Sequence, residues 1–436
     1  MKNRRLMALA GAASLALVLA ACQQGSSTNT DDETDSGGDA TGDSITLSFQ
    51  SLSDQPATVA AVEEIVASWN ADNPDIQVEI VPASWDGIYD KLITQFTGGT
   101  APDIVHFEAA SIIAFAVDGY LADLSPYISD EFSGDVSEGI WDSVTVDGQV
   151  VAYPTTLQSY MVFANLDLLE AAGVEVPSGD TMTWDEFRSI AQATTTADAF
   201  GLGWGLKSPT ATFMSLGLGF DGGYFDGTGA DATIEVSDAE LAVPELIHAM
   251  AYDDESIDPI SLTQSGSEVL PSFYGGSIAM TVQGSYQATN IANDAPEGFN
   301  WTVLPPLEGS AGAMQAANPQ TYSVNIDSEY VQESAQFLDY FTNSENLAAI
   351  AFADALIPAS ASARDQLATD TADMVGWDQV LASGDALVSP PFLHVDAYQS
   401  WKDSVATPAF QRFLAGEIDG TQLQSELTDG WDQVNR

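Results

Sequence analysis

The chain has 436 residues but one cysteine, three histidines and ten basic side chains, the last set against 64 acids. A single thiol forms no internal disulfide, and one cysteine with three scattered histidines supplies neither a Cys-rich zinc site nor an HExxH pair. So few cations leave nothing to neutralise a phosphate backbone or an anionic headgroup, which excludes nucleic acid and peripheral membrane binding. The longest apolar run, Leu6 to Ala20, is roughly 15 residues and falls short of the ~20 that span a bilayer. No GxSxG, GxxxxGK[ST] or GxGxxG occurs in a strand-to-helix setting, so no nucleophile elbow or phosphate cradle is indicated.

The apolar run has a different use. Lys2, Arg4 and Arg5 precede it, and Leu19-Ala20-Ala21-Cys22 closes it. A basic start, a short apolar segment and a small-residue cleavage site form an export signal. The lone cysteine, placed directly after that site, reads as a lipidated N-terminus. Residues 1–21 are therefore expected to be removed, and the mature chain to be tethered through Cys22 to the outer face of a bacterial membrane. Residues 23 to 43, QQGSSTNTDDETDSGGDATGD, carry no large apolar side chain and read as a tether with a reach of roughly 25 Å. Beyond them about 390 residues remain, with hydrophobic residues at 45% of the whole chain, more than one core usually covers.

Ile45 to Phe49, Ile76 to Ile80 and Ile104-Val105 have strand character. Helical spacing of Val59, Val62, Ile65, Val66 and Trp69, and a further helix over Ile88 to Phe96, separate them. This alternation predicts a parallel α/β sheet. The pattern restarts with strands at Val150–Tyr153 and Met161–Ala164 and helices at Leu166–Ala171 and Trp184–Thr194, the latter opened by a Thr183/Glu186 capping box. Later come a helix around Ala239–Met250, strands at Ser277–Val282 and Trp301–Leu304, a helix over Val331–Phe341 and a mainly helical C-terminal third. His248 falls in a helical pattern and reads as structural, whereas His106 and His394 adjoin aromatics. The Asp226 to Asp231 loop lacks the ligand spacing and terminal Glu of an EF-hand.

Aromatic residues stand out in Gly-, Ser- and Asn-rich loops: Trp204 between glycines, Tyr224 after Gly222-Gly223, Tyr286 in Gln-Gly-Ser-Tyr-Gln, and Tyr398 and Trp401 after Pro390-Pro391. Flat apolar rings beside amides and hydroxyls suit sugars, whose faces stack while their hydroxyls take hydrogen bonds.

Several segments in order give the chain a resemblance. They are NPDIQV (73–78), FTGGTAPD (96–103), DGYLADL (118–124), VDGQVVAYPTT (146–156), NLDLLEAAGVEVP (165–177) with TWDEF (183–187), YGGSIAMTVQGSY (274–286) and WTVLPPLEG (301–309). In these the chain resembles family 1 extracellular solute-binding proteins of ABC importers, the maltose-binding-like group. The resemblance implies an α/β, two-lobed periplasmic-binding-protein-like fold (type II), with ligand held between lobes joined by crossing segments. It divides the chain into an N-terminal lobe of 44–156 plus 303–356 and a C-terminal lobe of 157–302 plus 357–436. Crossings are expected near Pro154–Leu157, Trp301–Pro305 and Leu356–Pro358. It further implies a monomer without catalytic activity, cofactor or metal, which passes a carbohydrate to permease subunits. Ligand contacts carried over by the resemblance and the loop aromatics are Gln50, Ser53, Asp54, Phe107, Glu108, Gln158, Trp204, Phe213, Asp221, Tyr224, Gln283, Tyr286, Asn318, Tyr398 and Trp401. Gln158 stands where maltose binders have a ligand-contacting Glu, and Tyr286 where they have a stacking Trp.

Two other readings compete. A cationic solute such as a polyamine would be drawn by the acidic field, with Glu108 and Asp221 as the carboxylates to converge on it. A secreted hydrolase lacks an identifiable nucleophile, base or metal set. The charge itself suits salty surroundings, because only seven cations, Lys91, Arg188, Lys207, Arg364, Lys402, Arg412 and Arg436, remain beyond the signal. Self-repulsion should therefore limit stability, and the urea unfolding midpoint should rise between low and high salt; a flat response would remove that role for the charge.

Overall fold

The computed structural model describes residues 44–435, which belong to one compact unit; the export signal, Cys22 and the tether lie outside the described residues. Nine strands build its two main sheets: β1 (Ile45–Ser51), β2 (Ile76–Pro82), β3 (Ile104–Glu108), β4 (Tyr153–Pro154), β5 (Tyr160–Asn165), β6 (Phe200–Gly203), β7 (Ile278–Gly284), β8 (Trp301–Val303) and β9 (Gln320–Val324). The first sheet has the order β2-β1-β3-β9-β4, and the second β6-β7-β5-β8.

In the first sheet β1 runs parallel to β2 and β3. Helices α1 (Pro56–Asp72) and α2 (Ile88–Thr97) follow β1 and β2, and α3 (Ala109–Val117) follows β3. Their buried faces explain the expected helical spacing: Val62, Ile65, Val66 and Trp69 of α1 are all buried. At the centre Phe49 meets Tyr322, Phe337 and Phe341 at 5.0 to 5.3 Å between ring centroids, tilted or edge-on as aromatic quadrupoles prefer.

The second sheet carries α4 (Trp184–Thr194), whose N-terminus is closed as its sequence indicated. Thr183 N and Oγ1 donate to Glu186 Oε2 at 2.9 Å, and Glu186 N donates back to Thr183 Oγ1. Its buried face packs on β6 so tightly that a Cβ on Gly201 would sit 1.9 Å from the Ala191 carbonyl oxygen. Trp184 stacks on Trp204 beneath it, the centroids 6.4 Å apart. Two further helices matter below: α5 (Gly266–Tyr274), preceding β7, and α6 (Ser344–Asp354).

The connections between sheets differ in part from the sequence expectation. Thr156–Leu157 and Ile357–Pro358 pair antiparallel, so the first and last crossings lie side by side. The return crossing is later than Trp301–Pro305. After β8, Leu307–Glu308 pairs with Met182–Thr183 and Gln315–Ala316 with Leu387–Val388, and the chain joins the first sheet only at Gln320. The Val150–Tyr153 strand is also divided, Gln149–Val150 pairing locally with Thr145–Val146 while Tyr153–Pro154 joins the first sheet. Helix Ala361–Asp370, expected with the second lobe, is anchored by Ser360 and Ser362 to Asp135 of the first. No described helix is long and apolar enough to cross a membrane.

Because the α4 to β6 approach leaves no room for a methyl group, Gly201→Ala should destabilise the chain by about 1–3 kcal/mol, read as a lower urea midpoint. An unchanged midpoint would mean that this contact relaxes freely.

Candidate functional site

Parallel strands bring their carboxyl ends to one edge, where the loops that follow them meet. Here the loop after β1 supplies Asp54 and Gln55, the loop after β2 supplies Trp85, and β3 ends in Glu108. With Gln320 of β9, Asp354 at the end of α6 and Leu356 they face Gln158, Ser267 and Tyr286 from the second sheet's side. This open cavity has a volume of about 370 Å³. Trp85 also borders a small inner chamber with Ser53, Thr58, His106, Thr155 and Thr156. Together with Glu108 it borders a side chamber of about 290 Å³ containing Phe107, Ser111, Gln399, Lys402 and Asp403. Trp85 thus borders all three chambers.

A buried relay sets its inner wall. Leu52 N donates to His106 Nδ1 at 3.0 Å, so Nδ1 carries the lone pair and Nε2 carries the hydrogen. That Nε2–H faces Gln320 Oε1 at 3.2 Å, which leaves the Gln320 amide N–H groups to offer to a ligand. Burial lowers the His106 pKa to about 4, so the ring stays neutral at ordinary pH and the relay keeps one polarity. Opposite, the Tyr286 ring fits because residue 284 is glycine: a Cβ there would lie 2.4 Å from a ring carbon and 3.4 Å from Gln158 Oε1. Burial raises the Tyr286 phenol pKa, and Asp54 across the cleft adds to the rise.

Asp54 and Asp354 share the cavity. Asp354 accepts a hydrogen bond from Thr58 Oγ1 at 2.5 Å, yet burial, with Asp54 nearby, pushes its pKa up to about 6. Glu108 is held by Ser111 Oγ at 3.2 Å and Asn318 Nδ2 at 3.1 Å. Among the described residues no group of three or more His, Cys, Asp or Glu is arranged to hold a metal ion.

Of the residues expected at the site, Asp54, Glu108, Gln158 and Tyr286 line the main cavity, while Ser53 and Phe107 line its inner and side chambers. The others are placed elsewhere, and those expectations are corrected. Trp204 stacks in the core on Trp184, Phe213 packs edge-on against Phe410 at 5.2 Å, and Tyr398 stacks on Phe392 at 4.6 Å. Tyr224 OH donates to the Glu240 carbonyl at 2.6 Å and Trp401 Nε1 to the Leu427 carbonyl at 3.0 Å, so both polar handles are used internally. Buried Gln50 donates to the His106 carbonyl, and buried Gln283 to Gly266 O and Thr281 Oγ1. Asn318 braces Glu108 and accepts from Ala110 N at 2.9 Å, so it acts on the wall rather than in the cavity. Asp221 sits exposed in a left-handed turn with φ 63° and does not join Glu108 in the cavity.

Trp85, Gln320, Asp354 and Lys402 were missed. Trp85 lies in Ala-Ser-Trp-Asp-Gly, the same aromatic-in-a-polar-loop signal that selected other rings. Gln320 and Asp354 carried no local signal, since their place depends on the return crossing and on the end of α6. His248, by contrast, packs between Tyr252 and Phe413, a structural position.

Two α/β lobes with a polar, aromatic-flanked cleft at their carboxyl-end loops define a receptor for a small solute. The chain belongs to the bacterial extracellular solute-binding protein family, whose model matches residues 52–348. It is similar to an uncharacterized lipoprotein in the oleD 5′ region of Streptomyces antibioticus, 36% identical over 85% of this chain and 83% of that one. In fold it is similar to the GacH receptor of Streptomyces glaucescens, a structure solved unliganded and with acarbose, with TM-score 0.75, 22% identity and coverage of 90% of this chain and 98% of that one. An ABC substrate-binding protein of Listeria monocytogenes in complex with cycloalternan has TM-score 0.76 and 22% identity over 90% and 98%.

The Asp354 carboxyl sets a pH signature. Folding raises its pKa from 3.8 to about 6, so the folded chain retains a proton there that the unfolded chain releases. This site therefore costs no stability below about pH 4, and its full cost appears above about pH 6. Asp354→Asn keeps an acceptor for Thr58 and removes the charge. At pH 7.5 it should raise the unfolding free energy by on the order of 2 kcal/mol, a gain that shrinks as the pH falls through 6; a pH-independent effect in urea titrations would contradict this.

Proposed function

We propose that this protein captures a neutral oligosaccharide between its lobes, without chemistry, and delivers it to an ABC permease from a lipid anchor on Cys22 at the outer face of the cell membrane. The observation that carries this reading is the pairing of ring and amide in the cavity. Trp85 from the first lobe and Tyr286 from the second present aromatic surface, and Gln55, Gln158, Gln320 and Ser267 present uncharged hydrogen-bonding groups around them. Sugars ask for that combination, since their C–H faces stack on rings and their hydroxyls both donate and accept. The main cavity of about 370 Å³ and the side chamber of about 290 Å³ that shares Trp85 with it offer room for more than one sugar unit. Relatives named for arabinooligosaccharide and maltodextrin binding support the ligand class. Closure of the lobes on the sugar, acting as a monomer, is the proposed binding step, and ligand affinity for the closed state drives it.

Asp54 and Asp354 keep a cationic ligand as the competing outcome, since neither has a cationic side chain within ion-pair distance among the described residues. A thermal-shift screen at high salt separates the two. Sugar at a hundred times its dissociation constant should stabilise the fold by about 2.7 kcal/mol. Trp85→Ala and Tyr286→Ala should each weaken binding of the sugar found by about 1–3 kcal/mol in calorimetry. A polyamine response with silent sugars, or unaltered affinity in both variants, would overturn the assignment.

A further inference from the structure

We propose that Lys402 is a positioning residue that holds the two lobes together across the cleft through its ion pair with Glu108. Cations are so scarce in this chain that the position of each is informative. Among the described residues, Arg188 pairs with Asp254, and Arg412 with Glu417 and Glu426, all within the second lobe. Only Lys402 reaches the other lobe, with Nζ 3.8 Å from Glu108 Oε1.

Both ends of the pair are held. Glu108 ends β3 and is fixed by Asn318 Nδ2 and Ser111 Oγ. Lys402 follows Trp401, which is buried in the second lobe's core, and its ammonium lies 6.0 Å above the Tyr398 ring. Ser111 Oγ also lies 3.4 Å from Gln399 Oε1, so its single hydroxyl hydrogen is shared between Glu108 and the second lobe, and Gln399 Nε2 donates to Asp403 at 2.7 Å. The side chains of Lys402 and Glu108 are only 22% and 26% exposed, so water screens the pair less than a surface one.

Elsewhere the facing walls are acidic: Asp54, Asp90 and Asp354 on the first lobe, and Asp403 on the second. Bringing the walls together raises their mutual repulsion, and Lys402 offsets it where both lobes border the side chamber. Both partners also border the cleft, so a bound solute sits beside the bridge. Lobe closure and the state of this pair are thereby coupled. The bridge depends on the two-lobed fold and not on a sugar ligand, so a failed sugar screen would leave it intact.

The test needs no solute. In the full chain carrying Cys22→Ser, spin labels are placed at introduced cysteines replacing the exposed Tyr127 and Val176, and the distance distribution between lobes is read by pulsed electron resonance. At low salt K402Q and E108Q should each raise the ratio of long to short distances roughly two- to fivefold. The double variant should add nothing to either single one, and K402R should restore the parent distribution. In 1 M NaCl, where the screening length is about 3 Å, the difference between parent and K402Q should collapse. A distribution unmoved by either single substitution overturns the proposal, as do additive effects in the double variant or a salt-independent difference. Glu108→Gln keeps an acceptor for Asn318, so its result stands even if Lys402→Gln perturbs its helix, and circular dichroism of each variant reports that directly.

Discussion

The molecule depends on one strand insertion. β9 arrives from the second lobe and lies antiparallel between β3 and β4 of the first, with Gln320 opposite Glu108 and Tyr322 opposite His106. That register places Gln320 against the His106 ring and Asn318 against Glu108, which orients two walls of the cleft at once. It also carries Tyr322 into the aromatic centre around Phe49. A slip of one residue would reverse every side chain of β9 between the sheet's two faces. Core packing therefore protects the site, since the buried Tyr322 holds the strand in the register that the cleft needs.

A second constraint is electrostatic. With ten basic residues against 64 acids, the chain has little means of neutralising charge by pairing. Around the cleft, polar groups are instead served by neutral partners: the His106 to Gln320 relay, the Gln283 contacts with Gly266 and Thr281, and the Thr58 hydroxyl on Asp354. Neutral hydrogen bonds are hardly screened by salt, whereas exposed ion pairs are. A cleft wall built this way keeps its geometry in saline surroundings. Lys402 is the exception, and its position between the lobes is where a charge interaction has most leverage.

Much of the fold was legible because it is local. The helices Leu166–Ala171 and Val331–Phe341 coincide with their sequence expectation, and Trp184–Thr194 does so together with its capping box. The first strands and helices likewise follow from alternation and breakers. At the site, residues following parallel strands were legible for the same reason, since Asp54 and Glu108 lie where the chain leaves a sheet. Tyr286 was legible through the glycine two positions before it. Trp204, Tyr224, Tyr398 and Trp401 were misread because a loop-like composition marks where the backbone turns, not which way a ring points. Each of these rings finds a core partner, and burying an aromatic inside a lobe is favourable whether or not a ligand exists.

By itself the sequence determined the class of fold, the acidity and the family, all of which rest on residues near one another in the chain or on composition. Tertiary structure alone decided which side chains face the cleft. Gln320 and Asp354 meet Asp54 and Glu108 only after the chain has crossed between lobes twice, and Lys402 meets Glu108 only after a third crossing, so those encounters span 212 to 300 residues of separation. Contacts of that range are set by strand register and by the packing of whole helices. Neither leaves a periodic trace in the residues concerned, so no reading of local pattern reaches them.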